Sequence, residues 1–273
     1  MHTNLDAARG GVSFALAEEL GLERIEVLER GAGLLSKITT FVPPAHLEAV
    51  ASAMGSAGAG SIGPYADCSF RTEGVGTYRP LKGARPFAGT VGALERAEEV
   101  RLEMIAPSWR LTDVVRALRL AHPYEEVAVD VVRLANPSPD TGMGALGSVE
   151  RPLSLRRLLA RVKTTLGVPA LRYAAGRNKL LRRIAVCGGS GSELLETAIA
   201  RGAEAFITAD IRFHSFQAAD GRIALIDAGH FETEWPIVPR IATYLRRRLH
   251  EAGAAMDVIV ATSSTNCVQY STS

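Results

Sequence analysis

Cys187–His214 reads CGGSGSELLETAIARGAEAFITADIRFH. An apolar run, Arg183–Cys187, ends in a cluster of glycines, a helical stretch follows over Gly191–Arg201, and Gly202 returns the chain into a second apolar run, Ala205–Thr208. Strand, glycine turn, helix and strand form a βαβ unit, which places its two strands side by side and parallel. Outward from it, Leu153–Leu166 reads as a helix, Ile223–Asp227 as a strand, Glu232–Glu251 as a long helix with Pro236 and Pro239 in its early turns, and Met256–Ala261 as a final strand. The expected class is α/β, a mostly parallel sheet with helices on both faces. Asp6–Leu20 reads as a helix with no strand before it, and the chain opens at Met1 straight into HTNLD, a polar cluster of the kind that follows a strand end. A domain incomplete at its N-terminus is therefore expected.

A different pattern interrupts this one. KITTFV (Lys37–Val42) is β-branched, Pro43-Pro44 opens a helix over Ala45–Met54, and CSFRTEGVGTYRP (Cys68–Pro80) alternates like a strand with a central glycine kink. Val100–Ile105, Leu111–Leu120 and Val127–Leu134 add strand, helix and strand. The order β-α-β-β-α-β is the ferredoxin-like arrangement, able to bury one sheet face under two helices. Residues 37–134 are thus expected to be an inserted α+β domain within an α/β domain made of 1–36 and 135–273. ANPSPDTGMG (Ala135–Gly144) reads as linker or exposed loop.

Of the 273 residues, 47% are hydrophobic, 22% charged and 6% aromatic, so the core must come from aliphatic side chains, and disorder, collagen and disulfide scaffolds are excluded. No apolar run approaches the length of a membrane span, and the N-terminus lacks a basic start followed by an apolar stretch. Three cysteines, an odd number and far apart, fit reduced thiols in a cytoplasm. The net charge is only +2, yet Arg151–Arg183 holds lysines and arginines and no acid. That stretch suits a phosphate-bearing ligand, but with so few aromatics it reads first as a solvated helix face or subunit contact, and nucleic-acid binding as the weakest alternative.

Three pairs share one spacing: His2 with Asp6, Asp210 with His214, and His230 with Glu234. On a helix, residues four apart lie on one face. The second and third pairs follow predicted strands, where open α/β sheets gather ligands. Imidazole with carboxylate suits Zn, Mn, Fe or Ni better than Ca or Mg, and a carboxylate can bridge two such ions to activate water. The pairs read equally as a metal site or as ion pairs and caps. His46, His122 and His250 read as structural. The glycine turn at Cys187–Gly191 fails the dinucleotide pattern, since Leu194 stands where a third glycine belongs, and it is no P-loop. What remains is a tight turn with an anion-holding helix start, beside a Cys187 that reads as a buried thiol.

HTNLDAARGGV, the CGGSGS…TADIRFH stretch and DAGHFETE together resemble the GTP cyclohydrolase I type 2 homologues, the dinuclear-metal-centre hexameric proteins also called Nif-three-like. CSFRTEG, GTYRP and HPYEE within residues 37–134 resemble the PII/CutA-like insert of longer bacterial members. The resemblance implies a toroidal homo-hexamer with paired divalent ions, and metal ligands at Asp6, His230 and Glu234. Asp210 and His214, on TADIRFH with Ala209 where glycine is usual, are implied pocket residues, with His2 as a further candidate. An adjacent His-His pair supplies the family's remaining ligands and this sequence has none; it also ends TNCVQYSTS rather than in the usual TxPF-like stretch. The three implied ligands suffice for one weakly held ion. Two functions follow: a metal-dependent hydrolase of nucleotide-like substrates, or a non-catalytic metal-binding or regulatory hexamer gated by its insert.

Overall fold

The computed structural model describes residues 3–138, 141–263 and 265–271. The chain divides into two compact units, Met1–Gly31 with Asp140–Ser273, and Ala32–Pro139. The second unit begins a few residues before the expected Lys37 and ends a few after Leu134, because its first strand already starts at Leu35.

In chain order the first unit opens with α1 (Thr3–Asp6), α2 (Val12–Glu19) and β1 (Glu23–Arg30). The second unit follows with β2 (Leu35–Val42), α3 (Leu47–Ser56), β3 (Phe70–Tyr78), β4 (Glu95–Pro107), α4 (Leu111–Ala121) and β5 (Val129–Leu134). The first unit then resumes with β6 (Gly142–Leu153), α5 (Leu155–Leu166), β7 (Arg172–Ala174), β8 (Leu181–Ser190), α6 (Leu195–Ala200), β9 (Ala205–Ala209), α7 (Phe213–Ala219), β10 (Ala224–Asp227), α8 (His230–Glu234) and α9 (Ile237–Glu251).

The second unit is the ferredoxin-like arrangement expected. Its sheet runs β3-β4-β2-β5, every neighbouring pair antiparallel. One face buries Ile38, Val42, Leu102 and Met104 against Val50 and Met54 of α3 and Val114 and Leu118 of α4. Alternation along each strand leaves Phe41, Glu99 and Arg101 on the other face.

The first unit is α/β with helices on both faces, but its six-stranded sheet, β1-β6-β8-β9-β10-β7, is mixed rather than mostly parallel. Parallel pairing is confined to β8, β9 and β10, while β1, β6 and β7 join antiparallel. Period-two burial shows both faces covered. Ile184, Val186, Ile207 and Ile226 pack with Leu16 of α2 and Leu158 of α5, whereas Ala185, Cys187, Phe206 and Leu225 pack with Ala198 of α6 and Ala219 of α7. The helix α5 starts where the Ser154 hydroxyl caps the Arg157 amide and stops at Gly167, whose φ of 68° is left-handed.

Several expected elements change. The Asp6–Leu20 helix is two, broken at Gly10-Gly11, and a strand, β1, follows it. Pro236 divides the Glu232–Glu251 helix into α8 and α9. The expected linker Ala135–Gly144 already contains the start of β6. No strand forms over Met256–Ala261, where Met256 and Ile259 are exposed. Among the described residues no helix is long and apolar enough to cross a membrane.

Candidate metal centre

The parallel pair β9 and β10 sets Thr208 opposite Asp227. Whatever follows each strand therefore emerges at the same carboxyl edge of the sheet. After β9 comes Asp210, in a left-handed conformation (φ 53°); after β10 comes Gly229 (φ 83°) and then His230, the first residue of α8. These two turns bring Asp210 and His230 together. His230 Nδ1 lies 2.6 Å from Asp210 Oδ2, and Nε2 lies 3.2 Å from Glu234 Oε1, one helical turn on. The Asp210 hydrogen bond, supported by the nearby Glu234 charge, holds the imidazole pKa above its ordinary value against the opposing effect of partial burial. One imidazole between two carboxylates is a place that favours added positive charge.

The glycine turn that precedes α6 completes the floor. Gly189 has φ 65°, and a Cβ there would stand 2.6 Å from Glu234 Oε1 and 3.1 Å from His230 Nε2. Only glycine admits both groups this close to the strand. Its amide donates to Thr233 Oγ1 at 2.9 Å, and its carbonyl accepts from Thr208 Oγ1 at 2.9 Å. In the expected anion-holding stretch, the Gly189 amide is taken up by Thr233, and the helix start is a 3-10 turn, Ser192–Leu194, leading into the short α6. The glycines serve close packing, since a Cβ at Gly191 would meet Cys187 Sγ at 2.5 Å. Cys187 is buried and its thiol pKa is pushed up to about 12, chiefly by that burial, so it is no nucleophile.

The other sequence-derived candidates fall differently. Asp6 ends α1, on a segment pinned to the sheet where Ala8 bridges Thr141. Its charge, with those of Glu193 and Glu234, adds to the burial that raises the Cys187 pKa. His214 is exposed on α7, 3.3 Å from Gln217 Oε1 through Nδ1. It does not pair with Asp210 as the spacing suggested, because Asp210 lies before that helix starts and turns toward His230. His2 lies outside the described residues. Among the described residues, no three His, Cys, Asp or Glu side chains form a ready-made metal cage.

Sequence reasoning missed the Asp210–His230 pairing, although both residues follow the ends of neighbouring parallel strands. It also missed Asp227, buried at the end of β10, which pairs with Arg172 and accepts from the amides of Ile211 and Gly229 at 3.3 Å. Those bonds fix the two turns that present Asp210 and His230.

The family model described as Duf34/NIF3 (NGG1p interacting factor 3) matches residues 1–267. The chain belongs to the Duf34/NIF3 family. A Mycobacterium leprae relative, called GTP cyclohydrolase 1 type 2 homolog, is 40% identical over 271 residues, covering 97% of this chain and 70% of the relative. A Bacillus subtilis protein of the same name is 38% identical over 232 residues, covering 84% of this chain and 62% of its own length. Among solved structures, a Bacillus cereus protein related to NIF3 superposes with TM-score 0.82 at 34% identity, covering 98% of this chain and 72% of that one. The Duf34/NIF3 match runs through both units of the chain.

Proposed function

We propose that this Duf34/NIF3 chain binds a divalent cation through His230 Nε2 and the Glu234 carboxylate, with Asp6 as third donor and Asp210 as a positioning residue. The observation that carries this reading is the 3.2 Å between Nε2 and Oε1. Two donors each about 2.0–2.2 Å from one ion stand about that far apart. Asp210 on Nδ1 fixes the tautomer that leaves Nε2 facing the cation, the usual outer support of a histidine ligand. Nitrogen with carboxylate oxygen suits Zn, Mn, Fe or Ni.

When bound, such an ion supplies Lewis acidity for hydrolysis of a nucleotide-like or other phosphate-bearing substrate, in keeping with the relatives' name. The chain's own residues hold and orient. Asp210 restrains the ring, Thr233 ties α8 to Gly189, and Gly189 keeps side chains out of the approach. The second reading is a non-catalytic metal-binding or regulatory homo-hexamer, with residues 37–134 as a PII/CutA-like gate, working in the cytoplasm. It is favoured by the ferredoxin-like topology of the second unit.

The test is elemental analysis of protein purified without chelator and dialysed exhaustively. The wild type is expected to retain up to one ion per chain, and a His230→Ala, Glu234→Ala double variant almost none. Equal metal in both proteins would overturn the reading. Metal retained without metal-dependent hydrolysis would favour the regulatory alternative.

A further inference from the structure

The second unit contains a built cavity independent of the metal-site reading. Among the described residues of the second unit, both helices, α3 and α4, pack on one face of the sheet. The connection from Arg79 to Leu94, between β3 and β4, folds back beside the opposite face and is held in place. Tyr78 Oη donates to the Ala88 carbonyl at 2.8 Å, the Gly92 amide to Pro80 O at 2.8 Å, and the Arg85 amide to Glu125 Oε1 at 2.7 Å. Between connection and sheet lies a cavity of about 660 Å³. That is within the usual range for small-molecule sites, roughly 300–1,000 Å³.

Its lining is unusual for this chain. Only 6% of residues are aromatic, yet Phe41, Tyr78, Phe87 and Tyr124 all converge here. The Phe87 and Tyr124 centroids are 6.0 Å apart, and those of Tyr78 and Tyr124 are 6.3 Å apart. The glycines of EGVG on β3 provide the room. Gly74 faces open space, since the atom nearest to a Cβ placed there would be the Glu99 carbonyl oxygen at 4.0 Å, and the Glu99 carboxylate lies where a Cβ of Gly76 would be. The Tyr124 hydroxyl pKa is raised by burial and then by the Glu99 carboxylate. The neighbouring arginines are engaged elsewhere: Arg101 with Glu103 at 2.5 Å, Arg79 with the Gly92 carbonyl at 2.5 Å. Among the described residues no basic side chain pairs with Glu99. Aromatic faces around an uncompensated carboxylate select planar rings that carry positive charge or N–H donors.

We propose that this cavity binds a small planar aromatic cation, of the amidinium or amino-heteroaromatic class, with its ring among Tyr78, Phe87 and Tyr124 and its N–H groups on Glu99. The probe is benzamidinium, with isosteric benzoate as its anionic control, titrated calorimetrically into the full chain. Saturable benzamidinium binding is expected, with benzoate at least tenfold weaker. Glu99→Gln, which keeps the side-chain shape but loses the charge, should weaken benzamidinium at least tenfold. Gly74→Val, which fills the cavity from the strand, should abolish binding while leaving the far-ultraviolet circular dichroism unchanged. Equal binding of benzoate, undiminished binding in either variant, or no saturable benzamidinium binding would overturn the proposal. So would self-association relieved by Gly74→Val without benzamidinium uptake, which would assign this face to a second copy of the chain.

Discussion

His230 Nδ1 donates to Asp210 Oδ2 at 2.6 Å, across 20 residues of chain and from the ends of two adjacent parallel strands. This bond, rather than the sequence spacing of either residue, determines which imidazole nitrogen faces Glu234. Removing it with Asp210→Ala leaves the ring free to rotate and to change tautomer. Outer-shell partners of this kind typically contribute about 10–100-fold to metal affinity. A loss of that size is expected in chelator-competition titrations, with the fold intact by circular dichroism. Unchanged affinity would show that Asp210 does not position the ligand.

Gly189 provides a second test at the same place. Its left-handed φ of 65° costs a residue with a Cβ about 1–2 kcal/mol, and that Cβ must also push Glu234 and His230 aside. Gly189→Ala should therefore lower unfolding free energy by about 1–3 kcal/mol and reduce metal retention. At a permissive glycine the same change is stabilising by reducing unfolded-state entropy. A rise in stability in denaturant unfolding would show that the turn is not constrained as described.

How much of this was legible depends on where each strand sits. β9, β10 and the Ile184–Cys187 part of β8 are buried on both faces, so they appear in the sequence as short apolar runs. β1 reads ERIEVLER and forms an edge, where charged residues blunt the pairing potential and hide the strand. β6 is concealed by its own glycines: Gly144 and Gly147 leave room for Leu28 and Leu22, so the stretch reads as a loop although it is central to the sheet. Met256–Ala261 misleads in the other direction, since an apolar run is a strand only if it finds a partner. The second unit is legible almost throughout because its strands and helices alternate locally. His230 and Glu234 are visible as a helical pair, but the spacing couples Asp210 to His214, a neighbour in sequence rather than across the sheet.

The thiols separate by burial. Cys187 is closed in beneath α6 with its pKa pushed up to about 12, whereas Cys267 is exposed. Thiolate is the reactive form, so an aromatic disulfide reagent at mildly alkaline pH should modify Cys267 readily and leave Cys187 untouched until denaturant is added. Modification of Cys187 at a native-like rate, read by peptide mapping, would mean that the sheet face beneath α6 opens far more easily than its packing indicates.

His122, in HPYEE, links the second unit to pH. The Tyr124 amide donates to Nδ1 at 3.1 Å, so the ring proton sits on Nε2 and donates to the Phe41 carbonyl at 3.0 Å. The neutral ring is thus satisfied at both nitrogens, and a second proton on Nδ1 would face an N–H. Burial pushes the pKa below 6.5, joined by the His46 charge and opposed by the Phe41 hydrogen bond and Glu99. In the unfolded chain the ring protonates at its ordinary value, so acidification through 6.5 favours unfolding until the lower folded value is passed. The ring's stabilising contribution is therefore present above pH 6.5 and lost as pH falls. His122→Leu removes both hydrogen bonds and the titration together. The stability gap between wild type and this variant should be widest near pH ~8 and narrow toward pH ~5 in urea unfolding followed by amide exchange at Tyr124. A gap that widens on acidification would mean that the charged form is the one the fold prefers, and that Nδ1 does not act as the acceptor for the Tyr124 amide.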